Sequence, residues 1–179
     1  MPLIDRAQSL LLIIDVQTRL MPAIEGGEAV VANARRLIDA AVLLGVPVLF
    51  TEQNAGGLGP TVPDLRPDLA GGAVAHKMTF DATRADGFLD RLPEGHAIVV
   101  AGCEAHVCVL QTVLGLRAAG RAVYAVRDAL GSRHADSKEA ALVRMAAHGA
   151  EVVTVEMVAF EWLATARHPR FRDIVRLVK

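Results

Sequence analysis

The sequence has few cysteines, few aromatic residues and almost no net charge. Its 179 residues include two cysteines, one tryptophan and one tyrosine, and the formal net charge is -1. Phosphate binding needs clustered lysine and arginine, and single-stranded nucleic acid needs aromatic stacking surfaces, so we expect no nucleic-acid partner. Cys103 and Cys108 are too few for a disulfide framework, and their spacing is not that of a C-x-x-C redox or zinc motif.

The sequence also lacks a long uninterrupted apolar run. Its longest apolar stretch, residues 39–50, is interrupted by Gly45 and Pro47 and is shorter than the ~20 residues of a membrane-spanning helix. The N-terminal apolar run ends at Asp15 and has neither the basic start nor the cleavage site of a secretory signal. We therefore expect a cytoplasmic protein with no membrane partner.

What is present is the composition of an ordinary globular domain with an aliphatic core. Hydrophobic residues make up 53% of the chain, and aromatic residues only 4%. A chain of this length buries about 70% of the surface that its unfolded form exposes, which supports an apolar core without metals or disulfides. We predict one domain over residues 1–179.

Short apolar runs alternate with helical patterns along the chain. The runs are mostly continuous, as expected of strands whose two faces are both covered in a parallel sheet. The pattern predicts an α/β fold: a single-domain, doubly wound (Rossmann-like), six-stranded parallel sheet with helices on both faces. The predicted strands are residues 9–15, 46–51, 73–77, 97–102, 122–126 and 150–155.

Glycines mark the predicted ends of three helices. Gly45, Gly120 and Gly149 each close a helical pattern just before a strand, a position that favours a left-handed turn. Two of these helices show apolar residues at helical spacing. The first stripe is Val30, Ala34, Leu37, Ile38 and Ala41, and the second is Val107, Leu110, Leu114 and Ala118.

Three reactive side chains stand at predicted strand ends. Asp15 ends the first strand, Lys77 ends the third, and Cys108 lies in the opening turn of the helix after the fourth. Ligands of such sheets bind at the carboxyl ends of the strands, and the order 3-2-1-4-5-6 would bring these side chains together. Each alone has an ordinary structural explanation: a turn cap, a solvated lysine or a buried thiol. Together they suggest a thiolate nucleophile, because a nearby lysine and a helix N-terminus lower the pKa of a thiol.

Four motifs follow one another along the chain. They are LLIIDVQ at 11–17, the K-x-x-F of 77–80, GCEAHVCVLQT at 102–112 and VRDALGSRHADSKEAAL at 126–142. In order and spacing they resemble the isochorismatase-like cysteine hydrolases. Residues 51–65, TEQNAGGLGPTVPDL, are similar to the isochorismatase domain-containing proteins and their bacterial relatives. The resemblance spans essentially the whole chain.

This resemblance implies a site and a chemistry. It implies an Asp-Lys-Cys triad at Asp15, Lys77 and Cys108, with Cys108 as the nucleophile. It also implies a cis peptide near Cys103–Glu104 and an oxyanion hole formed by the backbone N–H groups of Glu104 and Cys108. Similar proteins form dimers or larger assemblies, so a homo-oligomer is expected.

Two departures from the family pattern narrow the activity. The nicotinamidase branch binds a metal through an Asp-x-His after the second strand, where this chain has residues 51–54, TEQN. The six histidines show no H-x-H or H-E-x-x-H spacing, so we expect no metal and no cofactor. Enzymes that cleave isochorismate lack the nucleophilic cysteine, which disfavours that activity here.

Several residues beside the motifs are candidates for the pocket lining. We assign substrate contact to Gln17, Gln53, Phe80 and His106, and pocket lining also to Glu104. His106 is also an alternative base, although residues two apart on a helix face different ways. The Gly- and Pro-rich stretch 54–68 is predicted to be a long loop.

The combined hypothesis is a cysteine hydrolase of a small amide-like C–N bond that works through a thioester and without metal. Its partner is a small-molecule substrate. One alternative is a catalytically silent binding or scaffold protein of the same fold. Another is a thiol redox protein in which Cys103 resolves Cys108.

Overall fold

Six parallel strands form one sheet in the order β3-β2-β1-β4-β5-β6. The computed structural model describes residues 3–65 and 71–179. The order reverses between β1 and β4, and the predicted doubly wound fold class is confirmed. The strands are β1 (Ser9–Ile14), β2 (Val48–Gln53), β3 (Ala73–Lys77), β4 (Ala97–Cys103), β5 (Val123–Gly131) and β6 (Glu151–Val153).

Helices cover both faces of the sheet and enclose two apolar layers. One layer lies under α1, α5 and α6, and the other lies under α3 and α4. Within the described residues, no helix has both the length and the apolar character needed to cross a membrane. The helices are α1 (Gly27–Leu44), the single turn α2 (Ala55–Leu58), α3 (Leu110–Ala118), α4 (Ala135–Ala147), α5 (Val155–Leu163) and α6 (Phe171–Val178).

The last two strands differ from their predicted lengths. β5 continues to Gly131 because its pairing with β4 resumes, after a register shift between Val100 and Gly102, at Leu130 and Gly131. β6 is shorter than predicted because the side chain of Thr154 accepts a hydrogen bond from the N–H of Met157 and starts α5. A hydroxyl cap therefore ends the final strand.

The two predicted helix stripes have different outcomes. All five residues of the α1 stripe are buried, so that prediction is confirmed. The stripe predicted for α3 is confirmed in part: Leu110 is buried and Val107 and Leu114 pack partly buried against the core, but Ala118 is exposed. Val113 and Leu116, which the stripe omitted, are also buried. A π-helical turn, Ala105–Val109, precedes α3, and its wider turn shifts the buried face of the helix that follows.

The predicted loop 54–68 contains some local structure. α2 lies near its start, and a short 3-10 turn covers Pro63–Leu65. The last three residues of the predicted loop, 66–68, lie outside the described residues. The described part of the loop packs beside the end of β1, where the N–H of Arg19 donates to the carbonyl of Leu58.

Candidate active site

The carboxyl edge of the sheet brings Asp15, Lys77 and Cys108 together. The Lys77 Nζ lies 2.7 Å from the Asp15 Oδ2, and the side chains of the pair are 1% and 0% exposed. Cys108, from the turn after β4, interacts with both groups through charge and hydrogen bonding. Three separate strand ends thus supply a carboxylate, an amine and a thiol to one buried cluster.

Asp15 is held in place by the neighbouring strand. Its backbone has a φ of 51°, in the left-handed region, so the chain turns sharply at the end of β1. The Thr51 hydroxyl donates to the Asp15 Oδ1 at 2.6 Å, and the Asp15 N–H donates to the Thr51 carbonyl at 3.2 Å. One carboxylate oxygen is therefore fixed by Thr51 and the other by Lys77.

The close approach of β1 and β4 depends on a glycine. Gly102 has a φ of +125°, and a Cβ at this position would overlap the carbonyl oxygen of Ile14. Only glycine accepts both this backbone angle and this contact. Gly102 therefore lets the strand that carries Asp15 lie directly beside the strand that leads to Cys108.

Lys77 reaches Asp15 across the intervening strand β2. Its ammonium also donates to the Gln53 Oε1 at 2.9 Å and to the Thr79 carbonyl at 3.3 Å. The Gln53 amide nitrogen donates in turn to the carbonyl of Met78. The ammonium thus has three oxygen partners, and Gln53, predicted to contact substrate, is placed to orient the lysine.

Cys108 is a buried and neutral thiol in the resting site. Burial, first, and the negative charge of Asp15, second, raise the pKa of the Cys108 thiol to about 12, although the positive charge of Lys77 lowers it. The expectation that a lysine and a helix N-terminus would give a low pKa is therefore wrong for the resting site. The physical reason is that desolvation of the thiolate outweighs its attraction to Lys77.

The turn that carries Cys108 begins at Glu104. The carbonyl of Glu104 accepts the N–H groups of Val107 at 3.0 Å and Val109 at 3.2 Å, the residues on either side of Cys108. The peptide bond between Cys103 and Glu104 is cis. The backbone of Glu104 is thus tied directly to the turn that carries Cys108.

The Glu104 side chain is committed to Arg133. Arg133 donates to the carboxylate through Nη2 at 2.8 Å, through Nε at 3.1 Å and through its backbone N–H at 3.0 Å. These hydrogen bonds hold the pKa of the Glu104 carboxyl below its usual range. Arg133 is not among the site residues predicted above, and its signal in the sequence is its place in the motif at 126–142.

His106 makes a second link between the same two loops. Its Nδ1 lies 3.0 Å from the Oγ of the buried Ser132. Thr51, Lys77 and Asp15 bond to one another without His106. The structure therefore ties His106 to the loop after β5, whereas the hydrogen bonds to the Asp15 carboxylate come from Thr51 and Lys77.

Two other predicted pocket residues have distinct positions. Gln17 is fully buried, and its amide bonds to the backbone of Gln53 and to the Gly59 carbonyl, so it fixes the loop after β2. Phe80 is 52% exposed and lines a cavity of about 660 Å³. Leu114 of α3 forms part of the opposite wall of that cavity.

The two cysteines lie in different apolar layers. Cys103 packs in the layer under α1, whereas Cys108 packs in the layer under α3. Cys103 is fully buried, and burial raises the pKa of its thiol to about 12. The structure therefore does not bring the two sulfurs together as the redox alternative requires.

The segment that holds the metal in the nicotinamidase branch has a different use here. The Glu52 Oε1 accepts the N–H of Thr61 at 2.7 Å and its hydroxyl at 2.8 Å. Gln53 orients Lys77, as described above. Across residues 3–65 and 71–179, no group of three His, Cys, Asp or Glu side chains is arranged to hold a metal ion.

Fold and site together define a Rossmann-like domain of the hydrolase type, with a buried Asp-Lys pair beside a cysteine. The model of the Isochorismatase domain matches residues 9–157. The chain belongs to the isochorismatase family.

Sequence relatives agree with this assignment. The chain is 36% identical over 172 residues to isochorismatase domain-containing protein 2 of Homo sapiens, covering 96% of this chain and 83% of that protein. It is 35% identical over 168 residues to isochorismatase domain-containing protein 1 of Salmo salar, covering 92% of this chain. It spans 59% of that protein's length, and 62% of the Danio rerio protein of the same name.

Solved structures have the same fold. A structure described as the MAR1 ribonuclease of Caenorhabditis elegans superposes with a TM-score of 0.93 at 33% identity, covering 99% of this chain and 92% of that one. The YcaC gene product of Escherichia coli, described as an octameric hydrolase of unknown specificity, has a TM-score of 0.88 at 22% identity. The match covers 98% of this chain and 96% of the Escherichia coli chain, and it is evidence for the fold alone.

Proposed function

We propose that the protein hydrolyses a small amide-like C–N bond with Cys108 as a covalent nucleophile and without a metal. The observation that carries this proposal is the contact of the Cys108 thiol with a desolvated Asp15–Lys77 ion pair. A carboxylate able to accept a proton and a cation able to balance the resulting anion are what a neutral thiol needs to become a nucleophile.

The first chemical step moves the thiol proton to Asp15 while the sulfur attacks the carbonyl carbon. The charge of Asp15 opposes a free thiolate, and that opposition ends once Asp15 itself carries the proton. The C–S bond forms and the carbonyl oxygen becomes an oxyanion. Lys77 remains cationic throughout and pairs with whichever neighbour is negative.

In this scheme, the backbone N–H groups of Glu104 and Cys108 donate hydrogen bonds to the oxyanion. Supporting this, the Glu104 carbonyl holds the N–H groups on both sides of Cys108, which orders the turn around the Cys108 amide. Such a donor contributes roughly 3 kcal/mol to transition-state stabilisation in other enzymes.

Collapse of the oxyanion breaks the C–N bond and leaves a thioester. The leaving amine takes the proton from Asp15, which then accepts a proton from water as the water attacks the thioester carbonyl. The C–S bond breaks, the acid product leaves, and Cys108 regains its proton. Atoms and charges balance over the cycle, and no redox change occurs.

The test is a panel of small amides and carbamates with Cys108 and Cys103 variants. Cys108→Ala and Cys108→Ser are expected to abolish turnover, because neither supplies a thiolate. Cys103→Ala is the matched control and should retain it, since Cys103 lies in the opposite apolar layer. Mass spectrometry of the wild type should find an acyl group on the Cys108 peptide. Turnover by Cys108→Ala would overturn the covalent scheme.

RNA belongs in the same panel because of the name given to the Caenorhabditis elegans structure. The ammonium of Lys77 is buried and bonded to three oxygens, and the net charge of the chain is -1, so we propose amide rather than RNA cleavage. Cys108-dependent RNA cleavage without amide turnover would reverse that choice. Binding of panel compounds without any turnover would favour the scaffold alternative.

The protein is further proposed to form a homo-oligomer, a dimer or larger. Support comes from large apolar side chains left on the monomer surface, among them Met78 and Val143. Light scattering coupled to size-exclusion chromatography tests this directly. A monomer at micromolar concentration would contradict it.

A further inference from the structure

The loops after β4 and β5 are joined by two side-chain bridges next to the nucleophile's turn. Glu104 binds Arg133, and His106 lies against Ser132. The first bridge is the stronger, because one carboxylate accepts three hydrogen bonds, two of them from the planar guanidinium fork. The bridges meet the turn at alternate residues, directly before Cys108.

The bridge to Arg133 spans the boundary between solvent and interior. The Glu104 side chain is 6% exposed, whereas that of Arg133 is 57% exposed. An exposed ion pair adds little stability, but this one fixes a carboxylate whose own backbone starts the turn of Cys108. The Arg133 side chain is thus placed to orient this turn as well as to stabilise the ionised carboxylate.

We propose that Arg133 is a positioning residue that holds the Glu104 N–H in line with the oxyanion. This inference rests on the proposed function, because it requires acyl transfer to Cys108. Arg133 acts through Glu104: it fixes the carboxylate, the carboxylate fixes the Glu104 backbone, and that backbone presents the N–H. The lowered pKa of Glu104 agrees with a carboxylate that stays ionised in this role.

Two reactions of the Cys108 thiol, acylation and alkylation, distinguish a positioning role of Arg133 from a purely structural one. Acylation of Cys108 by 4-nitrophenyl acetate passes through an oxyanion: the C–S bond forms, the carbonyl oxygen becomes negative, and 4-nitrophenolate leaves. Alkylation by iodoacetamide displaces iodide in one step and forms no oxyanion. Only the acylation rate therefore depends on the orientation of the Glu104 N–H.

The experiment measures both rates on the full-length wild type and on Arg133→Ala and Arg133→Lys. Arg133→Ala should slow acylation by about tenfold to 100-fold, the range for a displaced oxyanion donor, with alkylation unchanged within about twofold. Arg133→Lys keeps the charge and loses the fork, so it should be intermediate. Added guanidinium should restore part of the acylation rate of Arg133→Ala.

Arg127→Ala is the matched control. Arg127 lies in the middle of β5 and pairs with an exposed carboxylate, that of Glu139, at 3.3 Å. It should leave both rates unchanged. If Arg133→Ala does not fold, the acylation and alkylation rates of Arg133→Lys carry the test.

The outcomes divide cleanly. Wild-type acylation at Cys108 with a selective loss in Arg133→Ala supports the inference. Equal loss of acylation and alkylation with a fall in the melting temperature, or acylation at the wild-type rate, overturns it. Absence of acylation in the wild type instead overturns the proposed function.

Discussion

Replacing Lys77 by methionine removes the positive partner of a buried carboxylate while keeping the length of the side chain. The ammonium is 1% exposed and Asp15 is 0% exposed, so water cannot replace the lost contact. The Gln53 Oε1 also loses its donor. Breaking a buried pair in this way costs about 3 to 5 kcal/mol, whereas an exposed pair is worth about 0 to 1 kcal/mol.

The assay is urea unfolding of wild type, Lys77→Met, Asp15→Asn and the double variant. Each single change should lower the free energy of unfolding by about 3 to 5 kcal/mol, or the melting temperature by roughly 6 to 20 °C for a chain of this size. The double variant should lose less than the sum, with a coupling of about 2 kcal/mol, because it leaves no unpaired charge.

The control is Arg127→Met, which breaks an exposed pair with Glu139 and should stay within about 1 kcal/mol of wild type. A cost below about 1 kcal/mol for Lys77→Met, or strictly additive single costs, would refute the idea that this pair is desolvated and coupled.

Two further predictions concern charge near the nucleophile. Asp15→Asn removes a negative charge that, after burial, raises the pKa of Cys108. Iodoacetamide should therefore alkylate Cys108 at neutral pH about tenfold faster for each unit by which the pKa falls, and slower alkylation would contradict this. Amide turnover should be lost, because the variant has no proton acceptor at this position. Because Arg133 holds the pKa of Glu104 below its usual range, the ionised carboxylate contributes stability at neutral pH that is lost as the pH falls through the lowered pKa. Glu104→Gln should therefore be less stable than wild type in urea at neutral pH, and the difference should shrink as the pH falls below the usual range of a glutamate pKa. A stability difference that does not change with pH would exclude this linkage.

The strand pattern predicted most of the architecture because parallel strands covered on both faces have a simple composition. The weak segment 73–77 matches β3 in both bounds. Once the strand order is known, the placement of Asp15 and Lys77 follows, since parallel strands end at one edge. The positions of the strands could be predicted from short segments of sequence, because they depend only on which residues are buried.

Other features depend on packing that no short segment encodes. The buried face of α3 is shifted by the π-helical turn before it, which forms through the contacts of Glu104 with both flanks of Cys108. The direction of the Cys108 pKa shift depends on how completely the thiol is desolvated. Arg133 was missed because its partner lies 29 residues away.

The separation of the two cysteines by the sheet has a consequence for the lifetime of the protein under oxidants. A sulfenic acid formed on Cys108 has no second cysteine of its own chain within reach, because the chain has two and the other lies in the opposite apolar layer. Recovery then depends on thiols in the surrounding medium, without which oxidation proceeds to irreversible sulfinic acid. Burial and a pKa of about 12 make that first oxidation slow, since the thiolate is the oxidised form. The same desolvation that raises the pKa of the Cys108 thiol thus slows its oxidation.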